Sequence, residues 1–323
     1  MGLQIGQSVG RYHVVELLGE GGMATVYKAY DARLEREVAL KVIRRGAFPP
    51  EQLERILRRF EREAKALARL THPNIVALID YGEHEGSPYL VMPYLPGGTL
   101  KGLLAERAGR PLPWEEAVRL LLPIARALHF AHQQGFIHRD VKPSNILLTL
   151  SGEPMLSDFG IAKLLESEET TLTGTGVGVG TPEYMAPEQG LGRPVDARAD
   201  VYALGVVLYE LVTGRRPYQA DTPMAVVFKH LSEPLPPPRR YAPDLPEAVE
   251  RVLFKALAKD PQDRYADMAA FAQALEALLR LAAPAPAPFP AGEETVVQAP
   301  LAEAAETVVQ APPAALPPLP HPP

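Results

Sequence analysis

The chain has 323 residues, 46% of them hydrophobic, no cysteine, and 33 Lys and Arg against 39 Asp and Glu for a net charge of -6. That length and apolar content allow a substantial core and about two globular domains, while the mild acidity gives no reason to expect nucleic acid as a partner. The lack of cysteine excludes disulfides, thiolate metal sites and cysteine nucleophiles. No apolar run approaches the roughly 20 residues that span a bilayer. Met1-Gly2-Leu3-Gln4 lacks the charged-then-apolar plan of a signal peptide, so the expectation is a cytoplasmic protein without a membrane anchor of its own.

In chain order, residues 12 to about 94 alternate short β-rich runs with one long helical pattern, which predicts a small α+β domain on an antiparallel sheet. The strand candidates are Val26-Tyr27-Lys28, Glu37 to Ile43, Ile75 to Tyr81 and Pro88 to Met92. Between them Leu53, Ile56, Leu57, Phe60, Ala64 and Leu67 recur at three- and four-residue steps, the stripe of an amphipathic helix. Glu63 falls inside that stripe, and a carboxylate on a buried face needs a cationic partner. From Pro96 the pattern turns helical: Trp114 to Gln134 (with Pro123 inside it), Ala199 to Thr213, Met224 to Ser232, Pro246 to Ala258 and Asp267 to Leu281. Pro123 should remove one backbone bond there and locally disturb the helix.

After about Leu281 the composition changes: 12 of the last 42 residues are proline, none is Lys or Arg, and apolar periodicity stops. A disordered or extended tail is expected over 282–323. It repeats Glu294-Thr295-Val296-Val297-Gln298-Ala299-Pro300 as Glu306-Thr307-Val308-Val309-Gln310-Ala311-Pro312. This is either slippage in low-complexity sequence or a short recognition motif around one threonine.

Chemistry concentrates in His138-Arg139-Asp140-Val141-Lys142-Pro143-Ser144-Asn145, followed thirteen residues after Asn145 by Asp158-Phe159-Gly160. Alone, each Asp could be a turn-capping carboxylate, but that does not account for Asp140, Lys142, Asn145 and Asp158 together. Upstream, Leu18-Gly19-Glu20-Gly21-Gly22-Met23-Ala24-Thr25-Val26 can form a hairpin whose backbone approaches phosphates closely, and Val38-Ala39-Leu40-Lys41 follows it. The set resembles the catalytic loop, metal-binding turn, Gly-rich loop and V-A-I-K strand of the protein kinases. Two positions depart from the family pattern. Ala24 stands where the third glycine falls, and Leu40 replaces the isoleucine.

Lys142-Pro143 resembles the Ser/Thr-specific loop, as does Gly180-Thr181-Pro182-Glu183-Tyr184-Met185-Ala186-Pro187-Glu188. The chain over about Val9 to Leu281 is thus similar to a bacterial-type, eukaryotic-like Ser/Thr protein kinase. The fold implied is α+β and bilobal, with a β-rich N-lobe over about 9–94 and a larger helical C-lobe over about 95–281. The resemblance implies Asp140 as the base that accepts the substrate hydroxyl proton, Asn145 and Asp158 as ligands of Mg²⁺ (or Mn²⁺), and Lys142 on the γ-phosphate of ATP. Lys41, paired with Glu63, would face the α- and β-phosphates. Met92, Pro93 and Leu95 would meet adenine, with Val26, Ala39 and Leu147 as apolar walls and floor. Thr181 would reach back to Asp140 and Lys142, Glu188 would pair with Arg264, and Asp200 would organise the catalytic loop. His138 is structural in this reading, and the other histidines are ordinary surface or core residues. A kinase-like scaffold without chemistry and a small-molecule phosphotransferase of the same fold are the rivals. The intact Lys41, Asp140, Asn145 and Asp158 speak against the first, and Ala186-Pro187-Glu188 against the second.

Arg139, directly before Asp140, reads as a buried cation in need of an anion. The family's autophosphorylated pair corresponds to Thr173 and Thr175, so phosphorylation in trans within a transient pair of kinase molecules is the expected route of activation. Protein substrates are the expected partners. Thr295 and Thr307 are candidate phosphosites for a phosphothreonine-binding domain of the FHA type, with two copies raising its apparent affinity.

Overall fold

The computed structural model describes residues 2–22, 24–47, 53–159 and 182–282. Met23, Gly160, Thr173, Thr175 and Thr181, and the tail with Thr295 and Thr307, lie outside them. The N-terminal part is a six-stranded antiparallel sheet in the order β1-β2-β3-β4-β6-β5. Its strands are β1 (Ser8–Val9), β2 (Tyr12–Glu20), β3 (Ala24–Asp31), β4 (Arg36–Ile43), β5 (Asp80–His84) and β6 (Ser87–Pro93). Alternation in β3 and β4 sorts side chains onto two faces. One face buries Tyr27, Ala29, Val38, Leu40 and Val91 with Tyr12 and Val14 of β2. On the other, Ile43 and Leu90 receive Phe60 and Ala64 of helix α1 (Leu53–Leu67). The register pairs Val26 with Lys41 and Ala39 with Met92, so these four share the face on which α1 sits.

The predicted strand at Ile75 to Tyr81 is a correction: the sheet strand begins at Asp80. Ile75 instead bridges Leu156 in parallel, with Val76 N–H donating to the Leu156 carbonyl and Leu156 N–H to that of Asn74. The apolar run therefore ties the sheet domain to a small hairpin, β7 (Ile146–Leu148) and β8 (Pro154–Leu156), that carries the catalytic segment's continuation.

The helical part contains α2 (Leu100–Glu106), α3 (Trp114–Gln133), α4 (Pro187–Gly190), α5 (Arg198–Thr213), α6 (Pro223–Ser232), α7 (Glu247–Ala256) and α8 (Met268–Ala282). The short α2, not foreseen, is capped by Thr99, whose hydroxyl oxygen accepts from Gly102 N–H at 3.0 Å. α3 runs through Pro123 and buries a stripe that includes Val118, Leu121, Ala125 and Leu128. α5 is apolar almost all round and buried from Ala199 to Tyr209, as a helix at the centre of a domain must be. It ends at Gly214, in the left-handed region at φ +72°, where an added Cβ would lie 1.9 Å from the Gly109 carbonyl oxygen. Between the two parts, the chain at Gly97 passes so close to β7 that a Cβ would lie 2.3 Å from the Thr149 carbonyl oxygen.

Candidate active site

The catalytic segment is built on α5. Asp200, completely buried near the start of that helix, accepts from the backbone N–H of His138 (2.8 Å), from that of Arg139 (2.8 Å) and from His132 Nε2 (2.7 Å). These bonds hold Arg139 at φ +64°, a conformation that costs a non-glycine residue roughly 1–3 kcal/mol and persists only where its surroundings impose it. His138 is fully buried. Its Nε2 donates to the Ser157 carbonyl (2.9 Å) and its ring lies 4.8 Å from that of Phe159.

The second left-handed residue of the site is Asp158, at φ +63°. Just before it, both the N–H and the hydroxyl of Ser157 donate to the Asn145 carbonyl, at 2.8 and 3.1 Å. The backbone thus fixes Asp158 and Asn145 to each other. Asn145 Nδ2 donates to the Asp140 carbonyl (2.8 Å) and to Asp140 Oδ2 (3.2 Å), and Lys142 Nζ stands 2.8 Å from the same Oδ2. Asp140, Lys142, Asn145 and Asp158 therefore form one cluster.

Lys41 completes it. Its ammonium lies 2.7 Å from Asp158 Oδ1, bringing β4 to the catalytic segment. Burial opposes ionisation of Asp158, but the Lys41 ammonium, with smaller contributions from His138 and Lys142, holds the carboxyl below the usual carboxylate range. The expected Lys41–Glu63 pair is the second correction: Glu63 Oε1 lies 3.4 Å from Arg62 Nη2 on its own helix. Asp158 is locked by the backbone facing Lys41, whereas Glu63 has a neighbouring guanidinium on α1. Arg139 also differs from expectation. It is half-buried rather than buried, and its carbonyl accepts from Gln189 Nε2 at 3.0 Å.

The remaining predicted residues fall around this cluster. Gly21 N–H donates to the Ala24 carbonyl at 2.9 Å, closing the Gly-rich turn above β3, and Gly19 pairs with Val26 across the hairpin. Val26, Ala39, Met92 and Leu147 are half-buried, while Leu18 is 40% exposed. Pro93 ends β6 opposite Val38, leading into Tyr94 and Leu95. On the far side, Arg264 Nη1 and Nη2 donate to the two Glu188 oxygens at 2.8 and 2.7 Å, with both side chains buried. Residues 182–184 form a short turn just before α4.

Sequence reasoning passed over His132, Gln189 and His230. Two long-range partners explain the first two: His132 reaches Asp200, and Gln189 links α4 to the Arg139 carbonyl while its Oε1 accepts from Ala186 N–H at 3.1 Å. Only the eight-residue step from His132 to Asp140 was visible in the chain, and by itself it carries no chemical meaning.

The donor set suits a hard cation. Among the described residues no group of three or more His, Asp or Glu forms a metal cage. A carboxylate kept ionised beside an amide oxygen is what Mg²⁺ uses when waters and substrate phosphates supply its other ligands. Among the described residues no helix is long and apolar enough to cross a membrane.

Comparison with known proteins agrees with this geometry. The family profile described as protein kinase domain matches residues 12–277. The chain is 43% identical over 256 residues to the serine/threonine-protein kinase PrkC of Bacillus subtilis, covering 79% of this chain and 38% of that protein. It is 44% identical over 261 residues to PknB of Mycolicibacterium smegmatis, covering 79% of this chain and 41% of that protein. It thus spans about two fifths of the length of the curated relatives it matches. Among solved structures, the PknI kinase domain of Mycobacterium tuberculosis superposes with a TM-score of 0.67 at 33% identity, over 86% of this chain and 99% of that one.

Proposed function

The chain belongs to the protein kinase domain family, and from that membership we propose that it transfers the γ-phosphate of ATP to serine and threonine hydroxyls of proteins. The observation that supports this best is the convergence of Asp140, Lys142, Asn145 and Asp158 with Lys41, held by two left-handed backbone positions. Asp140 orients the acceptor hydroxyl and takes its proton. Lys142, already against Asp140, offsets negative charge on the transferred phosphoryl group. Lys41 turns its ammonium to the α- and β-phosphates. Asn145 and Asp158 would hold Mg²⁺, which when bound neutralises charge on the phosphates. Adenine sits between Val26, Ala39, Met92 and Leu147, with the Pro93 carbonyl and the Leu95 backbone as polar contacts. The missing N–H of Pro93 costs nothing there, because a carbonyl makes that contact.

The same reading assigns Thr173 and Thr175 to autophosphorylation in trans within a transient pair of molecules, with the phosphate recognised at Arg139. It makes Thr295 and Thr307 phosphosites read by an FHA-type domain, and it places the protein in the cytoplasm. The test is transfer from γ-labelled ATP to casein followed by acid hydrolysis. Phosphoserine and phosphothreonine without phosphotyrosine are expected, with label lost from Thr173→Ala/Thr175→Ala protein. Absence of label on wild-type protein and casein alike would overturn the proposal.

A further inference from the structure

Three anchors hold the turn at Pro182–Tyr184. Two act on side chains: Tyr184 donates its hydroxyl to Glu210, and Arg216 Nη1 donates to Glu183 Oε1 at 2.6 Å. The third acts on the main chain. His230 Nε2 lies 3.1 Å from the Glu183 carbonyl oxygen, and His230 Nδ1 lies 2.8 Å from the Tyr202 hydroxyl. A carbonyl oxygen only accepts, so Nε2 carries the hydrogen. Nδ1 is then the acceptor and the Tyr202 hydroxyl the donor. The imidazole is thereby fixed in one tautomer and one orientation, and turning it over would aim a C–H at the carbonyl.

The surroundings keep it so. His230 is 1% exposed and Tyr202 is completely buried, and Tyr218 packs edge-on against the imidazole with ring centroids 4.8 Å apart. Burial and the nearby Lys259 charge push the imidazole down to about 4, leaving it neutral at physiological pH. Lys259 also fixes α6. Its ammonium donates to the His230 carbonyl (2.7 Å) and the Tyr218 hydroxyl (2.8 Å), closing a helix end whose last carbonyls lack intrahelical partners. Arg264 lies over the Tyr202 ring at 4.8 Å while holding Glu188 of α4. The chain of contacts runs from Lys259 through α6 and His230 to the backbone of the turn.

We propose that His230 is a positioning residue for the protein substrate. It transmits the placement of α6 to the main chain of the Pro182–Tyr184 turn, and so sets affinity for the acceptor peptide without contact with nucleotide. This rests on the kinase reading, in which Ala186-Pro187-Glu188 sets a protein acceptor apart from a small-molecule one, so that the turn leading directly into that segment serves the protein acceptor. A purely space-filling histidine would instead affect stability alone.

The test compares His230→Leu, His230→Gln and Tyr202→Phe full-length protein in steady-state transfer to a serine-containing peptide. KM for peptide and for ATP and the thermal midpoint are read together. Gln can present an N–H to the Glu183 carbonyl and an oxygen to Tyr202, whereas Leu can do neither. His230→Leu is expected to raise peptide KM about tenfold, the change that loss of one such bond corresponds to, with ATP KM unchanged. His230→Gln should return peptide KM to within about threefold of wild type on the same scale. Tyr202→Phe, which frees the tautomer while keeping the ring, should raise peptide KM by an intermediate factor, and it decides the matter if His230→Leu does not fold. Unchanged peptide KM in folded His230→Leu or Tyr202→Phe, or equal rises in peptide and ATP KM, overturns the proposal. A wild-type protein inactive towards every peptide overturns the kinase reading itself.

Discussion

Removing either partner of the Glu188–Arg264 pair should cost more than any surface substitution, and the two removals should differ in a defined order. Arg264 is 3% exposed and Glu188 5%. Breaking a buried, hydrogen-bonded pair by deleting one partner costs about 3–5 kcal/mol, because the other charge stays buried. Glu188→Leu leaves the guanidinium with its bonds to the carbonyls of Ala258 (2.8 Å), Arg198 (3.1 Å) and Lys259 (3.1 Å), so about 3 kcal/mol is expected. Arg264→Leu strands Glu188 and those three carbonyls as well, at about 1–3 kcal/mol for each group left unsatisfied, which takes the cost to about 5 kcal/mol or more. The double variant should be scarcely worse than Arg264→Leu alone, since the second substitution removes a charge the first had isolated. The single tryptophan, Trp114, begins α3, so its fluorescence during urea unfolding follows the helical part. With a slope of about 3 kcal/mol per molar urea, Glu188→Leu should move the midpoint by about 1 M and Arg264→Leu by more. Shifts under about 0.3 M on the same slope for both variants, or a larger one for Glu188→Leu, would mean that the buried pair does not carry this stability.

Three further outcomes follow from the geometry. In Lys41→Met protein Asp158 loses the ammonium while burial still opposes its charge, and its carboxyl should titrate higher than in the wild-type protein, as carboxyl-carbon NMR against pH would show. His230 titrates near 4 in the folded protein against 6.5 for a free imidazole, so the unfolded chain takes up the proton first. Stability is therefore fully present above pH 6.5 and declines towards pH 4, by up to about 3 kcal/mol, and His230→Gln should lack that part of the slope in denaturation curves. Gly192 and Gly214 both have positive φ, but only Gly214 has a carbonyl oxygen 1.9 Å from an added Cβ. Gly192→Ala should then cost about 1 kcal/mol for the left-handed backbone, and Gly214→Ala clearly more, measured by the same urea midpoints.

What the chain revealed unaided was local. Asp140, Lys142 and Asn145 lie within six residues, so their spacing already fixed their neighbourhood, and the stripe of α1 and the apolar α5 announced themselves by period and composition. Partners chosen across the fold were not legible in that way. Lys41 had two carboxylates to choose from, and the choice of Asp158 depends on a backbone conformation at φ +63° that no residue type signals. β2 was hard to define because only Tyr12 and Val14 are buried along it, which erases the alternation that betrays a strand. Ile75 looked like sheet because it is apolar, yet its hydrogen-bonding groups serve β8. His132 and His230 lie on helices whose residues give no hint that their rings reach Asp200 and the Glu183 carbonyl. Buried polar groups are selected by what faces them, and that is a property of tertiary structure.

The role proposed for Asp140 is to take the acceptor hydroxyl's proton during phosphoryl transfer. Its most direct measurement is the single-turnover rate of transfer from ATP to a serine peptide, by wild-type and Asp140→Asn protein at saturating nucleotide, with ATP affinity measured alongside. Asp140→Asn should lower the rate by about 10²–10⁴-fold with nucleotide affinity retained. A rate within about threefold of wild type, far short of what loss of a general base costs, would rule that role out.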